Sequence, residues 1–172
     1  TVFAVVQFEY TTWAHDGVTD MYGKLPSPNA ILTLYQDPAT GNLFIARGTH
    51  VMVVDPDSGK LLADITGLMG IHGTAFAEGR AYVTEGGADK LAVIDAKHFT
   101  KLSEIAVGGR PDGVLYDPFS RRIFTFNATS SDATAVDPQS GKVLGTVALG
   151  GKPEAAVGGG AGRIFVNIED KS

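Results

Sequence analysis

Residues 51–60 read VMVVDPDSGK: an apolar strand, an aspartate, a tight turn and the start of another strand. Two further copies follow, LAVIDAK at residues 91–97 and ATAVDPQSGK at residues 133–142. The three aspartates, Asp55, Asp95 and Asp137, are separated by 40 and 42 residues. A strand-rich segment that recurs at this spacing indicates that the chain is built from similar units of roughly 40 residues each.

Each unit divides into short strands separated by turn residues such as Asp-Pro and Ser-Gly. The predicted strands are residues 31–35, 43–46, 51–54 and 61–65 in the first unit; 73–77, 81–84, 91–94 and 102–106 in the second; 113–116, 122–126, 133–136 and 143–148 in the third; and 155–157 and 163–166 in a fourth. This pattern predicts an all-β β-propeller with essentially no helix. Residues 29–172 would form three four-stranded antiparallel blades and half of a fourth.

Residues 1–28 do not follow the repeat and form a separate N-terminal arm. One interpretation is a mobile arm. The other is that its apolar stretch, VFAVVQ at residues 2–7, completes the unfinished blade, because an open strand edge promotes unwanted pairing. In two chains related by a two-fold axis, the N-terminal strand of each chain would complete the unfinished blade of the other. This arrangement predicts a homodimer with a ring of seven or eight blades. The rival prediction is a four-bladed monomer closed by its own arm.

Composition excludes several classes of function. The net charge of −5 gives no broad basic surface for nucleic acid. The absence of cysteine excludes disulfides and thiol chemistry. The longest apolar runs have the length of strands, too short for a membrane-spanning helix, so no membrane insertion is expected. Because Thr1 leads directly into apolar residues without a basic leader, we expect a processed chain or a piece of a longer one.

The second strands and the links between units carry a family resemblance. The strands read AYVTE at 81–85, IFTFN at 123–127 and IFVN at 164–167, and the links read VGGRPD at 107–112 and LGGKPE at 149–154. These segments resemble the YVTN-type β-propeller repeats of bacteria and archaea. The resemblance implies a propeller, commonly of seven blades, with a binding or surface role. It also implies export to the periplasm or the extracellular space.

In a propeller, the innermost strand of every blade lines a central channel. When the repeats are aligned on Asp117, His72, Asp112 and Glu154 fall at one equivalent position, the entrance of the inner strand, where the first unit has Leu32. The loops between second and third strands bring further polar residues to the same end of the channel: Arg47, His50, Glu85, Asn127, Asp132, Asn167, Glu169 and Asp170. The opposite end carries the Asp-Pro and Ser-Gly-Lys turns, which are typical of a scaffold.

The predicted cluster of His72, Asp112 and Glu154 leaves three interpretations open. The residues can simply solvate a wet channel and bond to neighbouring backbone. They can bind a small ligand or a partner without a metal, which is the function we favour from the sequence. Alternatively, they are catalytic and hold a divalent metal, Zn²⁺ or the harder Ca²⁺. A metal would activate a water molecule against an ester, lactone or phosphoester.

Overall fold

The structure, a computed structural model, describes residues 33–171 as a series of antiparallel β-sheets. The first sheet contains β1 Thr33–Gln36, β2 Leu43–Arg47, β3 His50–Val54 and β4 Leu61–Ile65. The second contains β5 Ile71–Ala77, β6 Arg80–Glu85, β7 Lys90–Asp95 and β8 Lys101–Ala106. The third contains β9 Pro111–Asp117, β10 Arg122–Asn127, β11 Asp132–Val136 and β12 Val143–Ala148. A two-stranded sheet of β13 Pro153–Gly160 and β14 Arg163–Ile168 follows, with a 3-10 turn at Glu169–Lys171.

Strands in each sheet pair in the order in which they occur in the chain, so each sheet is a simple meander. The predicted all-β fold with four-stranded blades is confirmed, and all fourteen predicted strands are present within the described range. The largest difference is β13, which continues to Gly160. Ala161 and Gly162 both have positive φ, 51° and 74°, and this conformation makes the tight two-residue turn into β14.

The hydrophobic core lies between neighbouring sheets. Phe44 of β2 is fully buried and contacts two rings of the second blade edge-on, Phe76 of β5 at 5.0 Å and Phe99 of the turn between β7 and β8 at 6.3 Å between centroids. Tyr82 of β6 is equally buried, and its hydroxyl donates a 2.8 Å hydrogen bond to the carbonyl of Pro138, in the turn between β11 and β12 of the third blade. The first and second sheets therefore each use an aromatic residue of the second strand to pack against the blade that follows.

Burial within a blade explains the repeat seen in the sequence. The third strands are covered on both faces, as in β3, where Val51–Val54 are all buried. A strand with no solvated face needs a continuous apolar run rather than alternation. The outermost strands are different: every residue of β12 is exposed. Polar and apolar residues consequently mix in the fourth strands, and their sequence signal is weaker.

Several sequence predictions fall outside the described residues. They include the arm at residues 1–28, its strand at residues 2–7 and the position of Leu32. The homodimer that depends on this arm stays a prediction. Among residues 33–171, no helix is long and apolar enough to cross a membrane.

Candidate functional site

The links between blades and the loops after the second strands lie on one face of the molecule. Three equivalent backbone hydrogen bonds join them: Gly86 N–H to Gly70 O at 2.9 Å, Ala128 N–H to Arg110 O at 2.9 Å, and Glu169 N–H to Lys152 O at 3.0 Å. We call this face the channel mouth, defined by links 66–70, 107–110 and 149–152 and the loops that they contact. The entrances of the inner strands β5, β9 and β13 follow directly from these links.

His72 and Asp112 come together at the channel mouth from adjacent blades. The imidazole Nδ1 lies 3.6 Å from Asp112 Oδ1, and their side chains are 35% and 37% exposed. The inner strands β5 and β9 can approach this closely because Gly73 has no side chain. A Cβ at Gly73 would lie 2.7 Å from the carbonyl oxygen of Asp112. Thr84 fixes the contact. Its hydroxyl accepts from Gly73 N–H at 2.8 Å and donates to Asp112 O at 2.7 Å.

Glu154 extends this group into the next blade. Its strand approaches β9 at Gly113, where a Cβ would lie 2.8 Å from the carbonyl oxygen of Glu154. A hydrogen bond with Glu169 is the largest of the influences that raise the pKa of the exposed Glu154 carboxyl, and Asp112 adds a smaller repulsion. Glu169 also accepts from the Lys152 ammonium group. Glu154 therefore retains a proton more readily than an ordinary glutamate. Hydrogen bonds from Glu154 and Lys152 lower the pKa of Glu169.

Metal binding was one prediction for this cluster. In the described part of the chain, no three His, Asp or Glu side chains lie in an arrangement that could hold a metal ion. His72 and Asp112 are close, but Glu154 turns to Glu169. A Zn²⁺ or Ca²⁺ ion at the channel mouth stays a prediction, and it requires Glu154 to exchange its partner for the metal.

Two predicted binding residues lie in the first blade. Arg47 and His50 are directly opposite each other at the ends of β2 and β3. The guanidinium of Arg47 contacts Met52 Sδ at 3.7 Å, and His50 Nε2 lies 3.9 Å from Asp64 Oδ1. Both residues are partly exposed beside the loop that receives link 66–70.

Two other predicted binding residues, Glu85 and Asn127, are almost completely buried, at 1% and 0% exposure. Asn127 accepts from the Thr125 hydroxyl at 3.0 Å and donates to Asp132 Oδ1 at 2.6 Å and Thr134 Oγ1 at 3.0 Å. In this conformation its amide joins β10 and β11 inside the third blade. Glu85 Oε1 accepts from the Met69 N–H in link 66–70, at 3.0 Å.

The remaining predicted residues lie on the two-stranded sheet and the turn that follows it. Asn167 is exposed on β14, and Asp170 accepts from Lys152 N–H at 2.8 Å. Sequence reasoning did not find Lys152 or Tyr35. Tyr35 lies on the inner strand β1, where burial raises the pKa of its hydroxyl. The sequence signal for Lys152 was its place two residues before Glu154 in the link LGGKPE.

The opposite face carries the aspartate turns, and we call it the scaffold face. In each turn an aspartate side chain accepts backbone N–H groups two or three residues ahead; the aspartates are Asp37, Asp55, Asp95, Asp117 and Asp137. His98 lies in one of these turns; its side chain is 68% exposed, and its Nδ1 lies 3.0 Å from Asp95 Oδ2. This face is occupied by local turn bonds, as the sequence indicated.

No protein-family model matches the chain, and no curated protein matches it. The resemblance to YVTN-type repeats therefore stays a prediction. Solved structures do match. A functionally unknown protein from Desulfotomaculum acetoxidans superposes with a TM-score of 0.69 at 16% identity, covering 81% of this chain and 49% of its own. Streptogramin B lyase gives 0.67 at 13% identity, covering 82% and 49%.

Hydrazine synthase from Kuenenia stuttgartiensis gives a TM-score of 0.62 at 18% identity, covering 66% of this chain and 34% of that protein. These neighbours are β-propeller-like proteins, and the chain has the same fold. It spans about half or less of the length of each of them. At such low identity the likeness establishes the fold alone.

Proposed function

We propose that the chain is part of a propeller binding module that takes a small polar ligand at the channel mouth. The observation that carries this proposal is the His72–Asp112 pair. The two side chains are partly exposed and come from two adjacent blades, with 3.6 Å between His72 Nδ1 and Asp112 Oδ1. That distance is longer than an ordinary N–H···O hydrogen bond, so a ligand group can bond to both side chains without first breaking a short contact.

Charge around the pair suggests the ligand's chemistry. Asp112, Glu154 and Glu169 supply three carboxyl groups, opposed by Lys152 through its bond to Glu169. A ligand with hydrogen-bond donors, such as an amine or a polyol, would complement the acceptors that remain. Periplasmic or extracellular location belongs to this proposal, supported by the resemblance of the second strands to exported repeat proteins.

The alternative function is a metal-dependent hydrolase of esters, lactones or phosphoesters, with His72, Asp112 and Glu154 as catalytic ligands. Streptogramin B lyase is an enzyme by name, so a propeller of this shape is compatible with catalysis. The structure favours binding because Glu154 engages Glu169 instead of facing a position shared with His72 and Asp112.

The test is a titration followed by the backbone amide NMR signals of Gly73 and Gly113. The probes are ethanolamine, glycerol, ZnCl₂ and CaCl₂, each raised to millimolar concentration. We expect saturable shifts with at least one probe, lost in His72→Gln and Asp112→Asn. The matched controls, His98→Gln and Asp57→Asn on the scaffold face, should retain them. If none of the four probes gives saturable shifts, the proposal is contradicted.

The same variants separate the two functions. Hydrolysis of p-nitrophenyl acetate that requires Zn²⁺ and falls in His72→Gln would favour the hydrolase. Two results together would favour the binding module. One is saturable binding of ethanolamine or glycerol, and the other is a hydrolysis rate no higher than that of the Asp57→Asn control assayed without metal.

A further inference from the structure

Glu85 is a buried carboxyl group with half of its hydrogen-bonding capacity unused. It ends β6 and is 1% exposed. Oε1 accepts from the Met69 N–H at 3.0 Å, whereas Oε2 is buried with no hydrogen-bond partner among the described residues. A buried polar atom without a partner costs free energy, so its presence calls for a physical reason.

The third blade shows that link positioning does not require a carboxylate. Asn127 is the counterpart of Glu85, and all of its polar atoms are bonded to neutral or carboxylate neighbours in its own blade. Gly109 is the counterpart of Met69, and its N–H donates to the Ser130 hydroxyl at 2.9 Å. The second blade therefore uses an ionisable group where the third blade uses a hydroxyl.

The neighbours of Glu85 make its charge sensitive to pH. Burial is the largest influence and raises the pKa of the carboxyl, while the Met69 N–H and Lys101 act in the opposite direction. The other charged groups that act on it are Glu104 and Lys90. Glu104 keeps its charge in mildly acidic solution, because Lys101 and Lys90 lower its pKa to about 2. On acidification from neutral pH, Glu85 is thus the member of this group that takes up a proton.

The link that Glu85 holds leads directly to the candidate site. Met69 also accepts through its carbonyl from Gly87 N–H at 3.0 Å, and a Cβ at Gly87 would lie 3.2 Å from that carbonyl oxygen. Both the N–H and the carbonyl of Met69 are therefore hydrogen-bonded, which holds the link in place. His72 follows three residues later, with Gly70 at φ 59° between them.

We propose that Glu85 is a proton-sensitive positioning residue, whose carboxylate fixes link 66–70 and whose protonation loosens that link and shifts His72 at the channel mouth. The inference rests on the proposed function, because it treats the channel mouth as the binding site. Its physical basis is that a carboxylate accepts an N–H more strongly than a neutral carboxylic acid does. A ligand at His72 would then bind a better-ordered mouth at neutral pH than in acid.

The experiment measures hydrogen exchange of the Met69 amide as a function of pH, corrected for the intrinsic exchange rate. In the unmodified chain we expect protection to fall about five- to tenfold as Glu85 protonates, the difference between a charge-assisted and a neutral hydrogen bond. The Gly109 amide, held by Ser130, is the internal control and should keep constant protection. In Glu85→Gln the protection of Met69 should become independent of pH.

A second readout follows the imidazole signals of His72 and His98. Glu85→Gln should move the His72 signal and leave that of His98 unchanged, since only His72 follows link 66–70. Protection of Met69 that is independent of pH in the unmodified chain would overturn the inference, as would a pH dependence retained by Glu85→Gln. None of these measurements needs a ligand, so failure of the ligand titration counts against the proposed function alone.

Discussion

Asp117 illustrates how a single side chain closes a turn on the scaffold face. It is 4% exposed, and its two carboxylate oxygens accept from Phe119 N–H at 3.2 Å and Ser120 N–H at 3.0 Å. The nearby Ser120 side chain is the largest of the influences that lower the pKa of this carboxyl, followed by the N–H groups of Ser120 and Phe119. The aspartate is required because its short side chain reaches the N–H groups that the tight turn leaves without backbone partners.

Replacing Asp117 by alanine should lower the free energy of unfolding by about 1–2 kcal/mol, because two partly buried N–H groups lose their acceptor. Urea denaturation measures the change. Asp57→Asn, at an exposed position in the turn of the first blade, is the matched control and should change stability by less than about 0.5 kcal/mol. Equal effects of the two substitutions would show that the hydrogen bonds of Asp117 are not responsible.

The turn at Asp95 predicts a dependence of stability on pH. Its bond to the His98 side chain, followed by the bonds to the His98 and Lys97 N–H groups, lowers the pKa of Asp95 from 3.8 to about 2. Because the folded pKa lies below the unfolded value, the stabilising effect is complete above pH 3.8 and disappears as the pH falls through about 2.

The chain with Asp95→Asn should therefore be less stable than the unmodified chain near neutral pH, and the difference should shrink as the pH approaches 2. Urea denaturation at a series of pH values gives this comparison. A difference that stays constant from neutral pH to acid would contradict the role of the Asp95 charge.

At the residue scale, the sequence predicted well the residues that set a turn conformation, and it predicted poorly the surroundings of buried polar residues. The turn aspartates were identifiable because Asp-Pro and Ser-Gly have local conformational meaning. Glu85 and Asn127 were predicted to follow a second strand, whereas they are the last residues of β6 and β10. Repeat position also does not reveal whether a side chain points to solvent or into the blade. That outcome depends on partners such as Met69 and Thr134, which come from other segments.

At the scale of elements, contact between inner strands depends on glycine. Gly73 and Gly113 lie where β5 meets β9 and where β9 meets β13, and a Cβ at either would lie within 2.8 Å of a backbone carbonyl of the next strand. Backbone cannot move aside as a flexible side chain can. These two positions therefore set how closely consecutive blades approach at the channel mouth.

Gly73→Ala should destabilise the chain by about 1–3 kcal/mol, the usual cost of overpacking a close contact, and should separate His72 from Asp112. Thermal or urea unfolding measures the first effect, and changes in the Asp112 amide NMR signal report the second. Gly145→Ala is the matched control. A Cβ at Gly145 meets nothing within 4 Å, so a change of less than about 0.5 kcal/mol is expected. A Gly73→Ala chain as stable as the control would rule out the close approach.

The strands themselves were largely predictable, since each third strand is an apolar run followed by a turn aspartate. The end of β13 was not. Residues 158–162 read GGGAG, and a glycine-rich segment does not specify where pairing stops. Pairing with β14 extends this strand to Gly160, opposite Arg163.

At the scale of the whole molecule, equivalent aromatic positions differ sharply in exposure. Phe44 and Tyr82 are buried by the blade that follows them, whereas Phe165, at the same position of β14, is 60% exposed. The outer strands show the same contrast: Ile65 and Ile105 are buried, and Val147 is 61% exposed. Large exposed apolar side chains of this kind can form contacts with another protein surface.

We expect the chain to self-associate in solution through exposed apolar side chains such as Phe165 and Val147. Sedimentation velocity over the micromolar range should show masses above 18.0 kDa that increase with concentration. Phe165→Thr should reduce this association, and Leu61→Thr, which alters a 42% exposed residue on β4, should not. A chain that sediments at 18.0 kDa at every concentration would contradict the expectation. The homodimer predicted from the sequence is one form that this association can take.

Among residues 33–171, strands of a sheet pair with strands that are consecutive in the chain, which has a consequence for synthesis on the ribosome. In the part of the chain that the structure describes, each of the three four-stranded blades has its strands within one stretch of chain, so it can fold without waiting for distant segments. A finished blade nevertheless exposes its aromatic side until the next repeat arrives. At ordinary translation rates a repeat of about 40 residues takes about 2–8 s. Aggregation during synthesis is therefore most probable in these intervals, when Phe44 or Tyr82 has been made and its covering blade has not.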